Sequence, residues 1–450
     1  MASKDITIQS VFDSVPRVSS YQYWICTICF LVVFLESFDQ TIIGVTVPKI
    51  ADFLHTTPGA LGYAMSASLA GSIVGAVVLG MLADRFGRKW MLFLCAVLFG
   101  LFTLLTIFIT NVGQLALFRF IAGIGIGGAV PNAVAFGSEY APSRLRKTFA
   151  ATMYAGAPVG ATLAGLVAAY FIPHYGWQSL FLLGGIVPLI IALITLGFLP
   201  ESLEFLASKS KNQQRIRKTV LRVAPAIGKD QDYRFTTSEV KLPGVPAKHL
   251  FTGGRALTTI LLWIAMAGGL YLLYVLVSWA PTLLHKSGAT VVQYSIAFAA
   301  LNFGAAISFV SVGRLMDMGN PFRILQVAYI LSFLSLVVFG LLAGGSLLTV
   351  AAISVVCGFF VNGSFAGLLA IATVSYPSDI RGTAIGWAYA IAKFGGMLAP
   401  VVGGFLLTLG WTVRGICGVN ALVALLVALV ILILGGRVAA YVTSPKRQAA

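Results

Sequence analysis

The chain has 450 residues, of which 58% are hydrophobic and 10% charged, and its mean hydropathy is +0.94. A soluble globular protein carries about a quarter charged residues, so this chain has too little polar surface to cover itself in water. That excludes a soluble enzyme, a disordered chain and a nucleic-acid-binding domain, and the formal charge of +16 needs another explanation.

Apolar runs of about 20 residues recur along the whole length, as a polytopic helical membrane protein requires. Before the first of them, Met1 to Tyr21 has no apolar h-region or cleavage site, so no signal peptide is expected. A short alternation around Val11, Phe12 and Val15 fits a segment lying on the membrane surface. Twelve spans are predicted, at about 24–46, 59–82, 90–110, 115–137, 148–171, 180–199, 257–280, 292–313, 322–343, 346–373, 383–408 and 414–434. The fold class is therefore an all-α membrane protein. Its expected organisation is a six-helix half over 1–199, a linker loop over 200–256 and a second six-helix half over 257–450. Eleven of the 30 Lys and Arg lie between Lys209 and Arg255, and most of the rest fall in every second short loop. By these spans about 25 Lys and Arg lie on one side and about 3 on the other, which predicts that both termini and the loop are cytoplasmic. The loop, with Pro225, Pro243 and Pro246, is expected to be a linker holding a short surface helix near Gln213 to Val223.

The two halves repeat each other in register. Gly80-Met-Leu-Ala-Asp84 recurs 233 residues later as Gly313-Arg-Leu-Met-Asp317, and Pro48 matches Pro281 at the same offset. Arg146 and Thr148 match Arg381 and Thr383 at 235, and Gly176-Trp177 matches Gly410-Trp411 at 234. A duplicated unit in parallel orientation encloses a binding site near the bilayer midplane, and rocking of the halves opens it to each side in turn.

Four ionisable residues fall inside predicted spans: Glu36, Asp39, Arg119 and Lys393. Facing lipid, each costs roughly 2.5–3.5 kcal/mol, so they are expected to face the bundle interior or a wet cavity. Glu36 and Asp39 share one helix face, three residues apart, where two carboxylates cannot easily both ionise. One of them, Asp39 by preference, is the expected proton carrier; the alternative is a static pairing with Arg119 or with hydroxyls of the seventh helix. Lys393 follows Tyr389 by four residues with Trp387 nearby, which offers an organic anion both a cation and an apolar slot. The alternative is that Lys393 only neutralises the first-span acids. Phe38, Tyr271, Tyr274, Asn132, Asn302 and Asn362 are further candidates for contact with a ring-bearing, hydrogen-bonding substrate, although each aromatic alone also suits plain helix packing.

Gly80-Met-Leu-Ala-Asp-Arg-Phe-Gly-Arg-Lys89 resembles the signature loop of the major facilitator superfamily, and Pro200-Glu-Ser202 is also similar to that family. Glu36-Ser-Phe-Asp-Gln40, Gly127-Gly-Ala-Val-Pro-Asn132, Ser138-Glu-Tyr140 with Arg144, and Tyr376-Pro377 with Arg381 through Gly396 resemble its aromatic acid:proton symporters, closest to carriers of hydroxyphenylpropionate-type acids. Ser37 stands where that family has Gly, and Lys393 where it has Arg. The resemblance implies proton-coupled import of an aromatic carboxylate by a monomeric carrier in the cell inner membrane, and, through the similarity of Arg119-x-x-x-Gly123-x-Gly125-x-Gly127 to the superfamily's helix 4 motif, a part for Arg119 in proton transfer; the alternative for Arg119 is a helix-end residue bonding loop carbonyls. A proton-coupled exporter of organic cations, using the first-span acids as counter-ions, is the competing reading. The cytoplasmic loops read as a latch built from Gly80, Asp84, Arg85, Arg88, Glu139, Arg144, Asp317 and Arg381, with Arg85 and Arg88 pairing with acids of the facing half.

Other signals are expected to be inert. Gly123, Gly125 and Gly128 fit G-x-G-x-x-G, but no strand precedes them, and close helix packing explains them better. The sequon Asn362-Gly-Ser364 lies at membrane depth, and Cys26-x-x-Cys29 opens a span. His55, His174, His249 and His285 are scattered in loops, and neither a metal-ligand cluster nor a nucleophile–base pair is present, so no cofactor, metal or catalytic residue is expected.

Overall fold

In the computed structural model, the described residues are 4–15, 17–208, 213–224, 233–236, 247–252, 255–376 and 380–442. Pro377 and Asp379 lie outside them, as does the side chain of Asp317. Twelve helices are long and apolar enough to cross a membrane: Ser20–Phe53, Pro58–Phe86, Arg88–Phe108, Val112–Glu139, Ser143–Tyr175, Gln178–Phe198, Ala256–Lys286, Val291–Ser308, Pro321–Leu342, Leu347–Thr373, Arg381–Thr408 and Val413–Arg437. They are numbered below as spans 1 to 12. Several run past the hydropathy window. Span 1 starts earlier, because Ser19 and Gln22 form a reciprocal capping box, and continues through Pro48 to Phe53. At about 1.5 Å per residue it is some 50 Å long, well over the hydrocarbon thickness.

The repeat is visible in backbone detail. Gly176 and Gly410, matched in the sequence, have φ of 78° and 77°, and each closes the turn after the fifth helix of its half. Within each half the first and fifth helices touch through glycine. A Cβ on Gly160 would overlap the Phe34 carbonyl, and one on Gly395 would overlap that of Ala267. The second and fourth helices cross in the same way. Gly75 and Gly127 of spans 2 and 4 lie against the Ile124 and Ser72 carbonyls, while Gly304 and Gly358 of spans 8 and 10 lie against those of Val355 and Leu301. The glycines of the apparent dinucleotide motif are thus contact surfaces between helices: Gly123 meets Ser68, Gly125 meets Cys95 and Gly128 meets Leu79.

Two spans are interrupted. Span 5 breaks at Ala155, between the helices Arg146–Tyr154 and Gly156–Tyr175, where Pro158 cannot donate to the preceding turn. Span 10 contains a π-turn over Gly358–Asn362. Pro400 sits inside an unbroken span 11.

The linker is more than a tether. Its helix Gln213–Val223 buries Ile216, Val220 and Val223, and they share one apolar cluster with Ile8, Val11, Phe12 and Phe235. The N-terminal strand Lys4–Thr7 pairs in parallel with the linker strand Tyr233–Thr236, and the following helix Ile8–Ser14 docks on the loop after span 4. There Gln9 donates to the Ala141 carbonyl at 3.3 Å, the Ser143 amide donates to Asp13 at 2.6 Å, and Phe12 stacks on Tyr140. Both segments are thereby fastened to the first half.

Between the halves, closure is one-sided. At the end away from the basic loops, Gly59 abuts Gly404, Gly62 abuts Pro400, and the Ser66 hydroxyl donates to the Met397 carbonyl at 2.7 Å. Gly44 of span 1 meets the Val277 carbonyl of span 7, and Gly165 of span 5 meets Ala299 of span 8. Toward the basic end the same pair of spans parts. A Cβ on Gly80, Gly382 or Gly386 would have nothing within 4 Å.

Candidate functional site

The intramembrane charges sit on spans 1, 4 and 11, and they divide into two groups. Asp39 and Arg119 are each fully buried. Arg119 grips Asp39 with two bonds, Nη1 to Oδ1 at 3.1 Å and Nη2 to Oδ2 at 2.8 Å, and the Thr103 hydroxyl of span 3 adds a third at 2.5 Å. Such a fork–fork arrangement satisfies both oxygens and neutralises the charge. Asp39 therefore points into the first half and does not line the opening between the halves.

Glu36, one turn earlier on span 1, takes the other direction. It accepts a hydrogen bond from the amide nitrogen of Gln40, and its charge interacts with Lys393 of span 11 without closing to ion-pair distance. The expected carboxylate couple is thus split: Asp39 is committed to Arg119, and Glu36 alone meets the second half. The physical reason is that a helix turn of three residues leaves the two side chains about 60° apart, enough for neighbours on opposite sides to capture one each.

Lys393 reaches across to span 2, where its ammonium donates to the Ser72 carbonyl and hydroxyl at 3.5 Å each. It also lies 5.9 Å from the centroid of the Tyr389 ring, and that ring packs against Phe365. Tyr274 of span 7 donates its hydroxyl to Gln40 Oε1 at 3.0 Å. Gln40, Tyr274, Ser68 and Ser278 line a narrow cavity between the halves together with Ile43, Gly44, Met65, Leu69 and Val277. The site is therefore a cross-half cluster: Glu36, Gln40, Ser68 and Ser72 from one side, Tyr274, Tyr389 and Lys393 from the other.

Other sequence candidates fall elsewhere. Trp387 stacks on Trp263 at 6.3 Å and Trp263 meets Phe251, so the indole belongs to an aromatic group near the basic end and not to the surroundings of Lys393. Asn132 and Asn302 each bond the carbonyl four residues back in their own helices, those of Gly128 and Phe298. Asn362 sits in the π-turn with its Oδ1 buried and unpartnered. Phe38 is buried against Phe34, and Tyr271 is half-buried in the second half. Gln40 closed the first-span motif Glu36-Ser-Phe-Asp-Gln40 but was not itself singled out, and Ser68, Ser72 and Thr103 carried no distinct sequence signal. Only the observation that polar side chains in apolar spans require partners singles them out.

At the basic end, Arg88 pairs with Glu139 at 2.6 Å, and the Ser202 hydroxyl donates to the other Glu139 oxygen at 2.5 Å. Arg88 and Glu139 belong to the first half and Ser202 to the start of the linker, so among the described residues Arg88 pairs within its own half and not, as expected, with an acid of the facing half. Glu201 accepts from the Lys89 amide at 3.1 Å and abuts Gly87, whose φ of 103° admits the close approach. Burial pushes the Glu201 carboxyl above its ordinary range, although the amides of Lys89 and Ser202 oppose this. Pro200-Glu-Ser202 is thus stitched to the signature loop. Asp84 is exposed, the Arg85 guanidinium lies over Phe86, and Arg144 donates to the Val15 carbonyl. Arg381 donates to the carbonyl of Tyr376 at 3.4 Å.

Residues 29–353 match the family model of the Major Facilitator Superfamily. The chain belongs to this superfamily. It is 36% identical to the 4-hydroxybenzoate transporter PcaK of Pseudomonas putida, over 91% of either chain. It is 33% identical to the 3-(3-hydroxy-phenyl)propionate transporter of Escherichia coli, over 91% of this chain and 93% of that one. Among solved structures, the inward open conformation of the xylose transporter XylE from E. coli superposes with a TM-score of 0.71 at 18% identity, covering 91% and 95% of the two chains. The fold of twelve spans in two six-helix halves is that of the superfamily, and its members named here are transporters, not enzymes.

Proposed function

We propose that the protein imports a small aromatic carboxylate together with a proton, by opening the two ends of the bundle in alternation. The cross-half cluster carries this reading. Lys393 supplies the positive partner a carboxylate needs, Tyr389 and Phe365 supply ring faces, and Gln40, Tyr274, Ser68 and Ser72 supply hydrogen bonds for a phenol. The relatives' aromatic-acid substrates agree with that chemistry. Glu36, rather than Asp39, takes the proton-carrier role, because Asp39 is held by Arg119 while Glu36 faces both the opposite half and the cation. This division also weighs against export of organic cations. With Asp39 neutralised, the chamber holds one acid and one base, and no surplus of negative charge to select a cation.

The basic loops face the cytoplasm by the positive-inside rule, so the parted end faces inward and the closed end outward. Arg88, Glu139 and the signature loop then form part of the inner gate, with Asp84, Arg85, Arg144 and Arg381 around it. The carrier works as a monomer in the cell inner membrane and needs no cofactor. The test is uptake of 4-hydroxybenzoate by proteoliposomes with and without an inwardly directed proton gradient. Accumulation is expected only with the gradient. Lys393→Ala is expected to weaken binding by about 30-fold or more, from the roughly 2 kcal/mol or greater cost of unpairing a bound anion. Normal affinity in that variant rejects the anchor, and competition by lipophilic cations instead of aromatic acids rejects the substrate class.

A further inference from the structure

One side-chain chain crosses from half to half inside the membrane. Glu36 accepts from the amide nitrogen of Gln40, and the amide oxygen of Gln40 accepts from the hydroxyl of Tyr274 at 3.0 Å. Glu36 and Gln40 stand on span 1, and Tyr274 on span 7. Both ends of one primary amide are thus occupied, by an acid on its own half and by a phenol on the other. Gln40 and Tyr274 also line the cavity between the halves.

The direction of every bond in that chain is dictated by Glu36. An ionised carboxylate can only accept, so it takes the NH2 end of Gln40 and leaves the amide oxygen for Tyr274, whose O–H is then spent. A protonated Glu36 keeps a carbonyl acceptor but gains an O–H donor, which a buried position requires to be paired. Its best partner is the amide oxygen of Gln40, which reaches it when the amide turns over about its terminal bond. The NH2 end then faces Tyr274 and donates to the phenol oxygen, and the phenolic hydrogen is released toward the cavity. No proton travels along the chain and no covalent bond is broken; the two hydrogen bonds break and re-form with donor and acceptor roles reversed, and the added proton stays on Glu36.

We propose that Gln40 is a two-ended amide relay that reports the protonation state of Glu36 to the other half, by giving Tyr274 a free O–H donor for the substrate only when Glu36 carries its proton. Gln40 and Tyr274 are positioning residues for coupling: an anionic or phenolic oxygen in the cavity gains a hydrogen bond from Tyr274 in the protonated state and loses that one bond in the ionised state. This couples binding to proton uptake with the sign of a symporter. Other charged and titratable groups face Glu36 as well: Lys393 and Tyr389 from span 11, Tyr274 from span 7, and Asp39 on its own helix with Arg119 paired to it. The inference rests on the aromatic-acid reading above.

The experiment is equilibrium binding of radiolabelled 4-hydroxybenzoate to purified protein over a pH series, for the wild type, Gln40→Met, Tyr274→Phe and Glu36→Gln. Wild-type affinity is expected to weaken with rising pH, by up to about tenfold per unit once Glu36 is ionised, as linkage to one proton requires. Gln40→Met and Tyr274→Phe are expected to flatten that dependence, so the readout is the slope against pH and not the absolute affinity, which either change also lowers. Glu36→Gln is expected to be flat throughout. Tyr274→Phe keeps the ring and its packing, so it remains readable where a change at position 40 disturbs the fold. The relay is overturned if both variants retain the wild-type slope, or if the slope survives in Glu36→Gln. A wild type that binds no aromatic acid at any pH overturns the substrate reading and the relay together; a wild type that binds with an unaltered slope in both variants overturns the relay alone.

Discussion

The two six-helix halves share their packing and differ in their chemistry. Both are knit by glycines in the same places, first helix to fifth and second to fourth. Yet the first half carries Glu36, Asp39 and Arg119, whereas 233 residues after Glu36 and Asp39 stand Gly269 and Leu272. The second half instead contributes Lys393, and 235 residues before it stands Pro158. The buried polar groups follow suit. Those of the first half include an ion pair in which both Asp39 oxygens are satisfied, while the second holds neutral hydroxyls and amides, several with an atom unpartnered among the described residues: the hydroxyls of Ser308, Ser354, Ser364 and Tyr329 and the Oδ1 of Asn362. Duplication thus preserves what backbone contact requires, and single side chains specialise each copy. The chamber works only because the specialised sides meet.

Four measurements probe that contrast. The largest effect is expected at Arg119→Ala, which strands a buried carboxylate and costs about 3–5 kcal/mol. Thermal unfolding in detergent reads this, and Asp39→Leu combined with Arg119→Leu is expected to recover most of it. If the single variant melts like the wild type, the ion pair does not hold the first half. Next, Gly75→Val and its packing counterpart Gly304→Val are each expected to cost at least about 1–3 kcal/mol, because a side chain drives apart helices in carbonyl contact. Unequal losses would show that the halves differ in packing too. Third, Ser364→Ala in the second half is expected to shift stability by only about 0.5 kcal/mol or less, since its hydroxyl has no bond to lose. A large loss there would reveal a bound partner.

The smallest effect concerns the N-terminal helix docked on the first half. Partial burial alone would raise the Asp13 carboxyl, but the amide and hydroxyl of Ser143 donate to it and hold it below its ordinary value. A depressed carboxylate stabilises the fold above its unfolded pKa and loses that contribution as pH falls. Acidification below about pH 4 should therefore loosen residues 8–14 in the wild type, seen as faster amide hydrogen exchange. In Asp13→Asn the helix should be looser already at neutral pH, with little further change on acidification.

Much of the fold was legible because its causes are local. A window of apolar residues identifies each span, and the repeats at Gly80, Pro48, Arg146 and Gly176 show the duplication without any contact being known. The span ends were less legible: capping by Ser19 and Asn111 extends helices beyond the apolar window. The docking of the linker helix was hidden for a different reason, since Ile216, Val220 and Val223 reveal only that one face is apolar, not what covers it.

For the site, composition alone required that Glu36, Asp39, Arg119 and Lys393 avoid lipid, because an unpaired charge in hydrocarbon is too costly. It did not determine who pairs with whom. Glu36 and Asp39 look equivalent along the chain, and only the lateral arrangement of spans 1, 3 and 4 delivers Thr103 and Arg119 to Asp39. Gln40 and Tyr274 are 234 residues apart, and their bond exists because the halves close face to face. The sequence by itself determined that the protein spans a membrane twelve times as a doubled unit with interior charges, since hydropathy and repeats are properties of the chain. The tertiary structure decided which acid faces the chamber, because partner choice depends on distances between helices that no local pattern encodes.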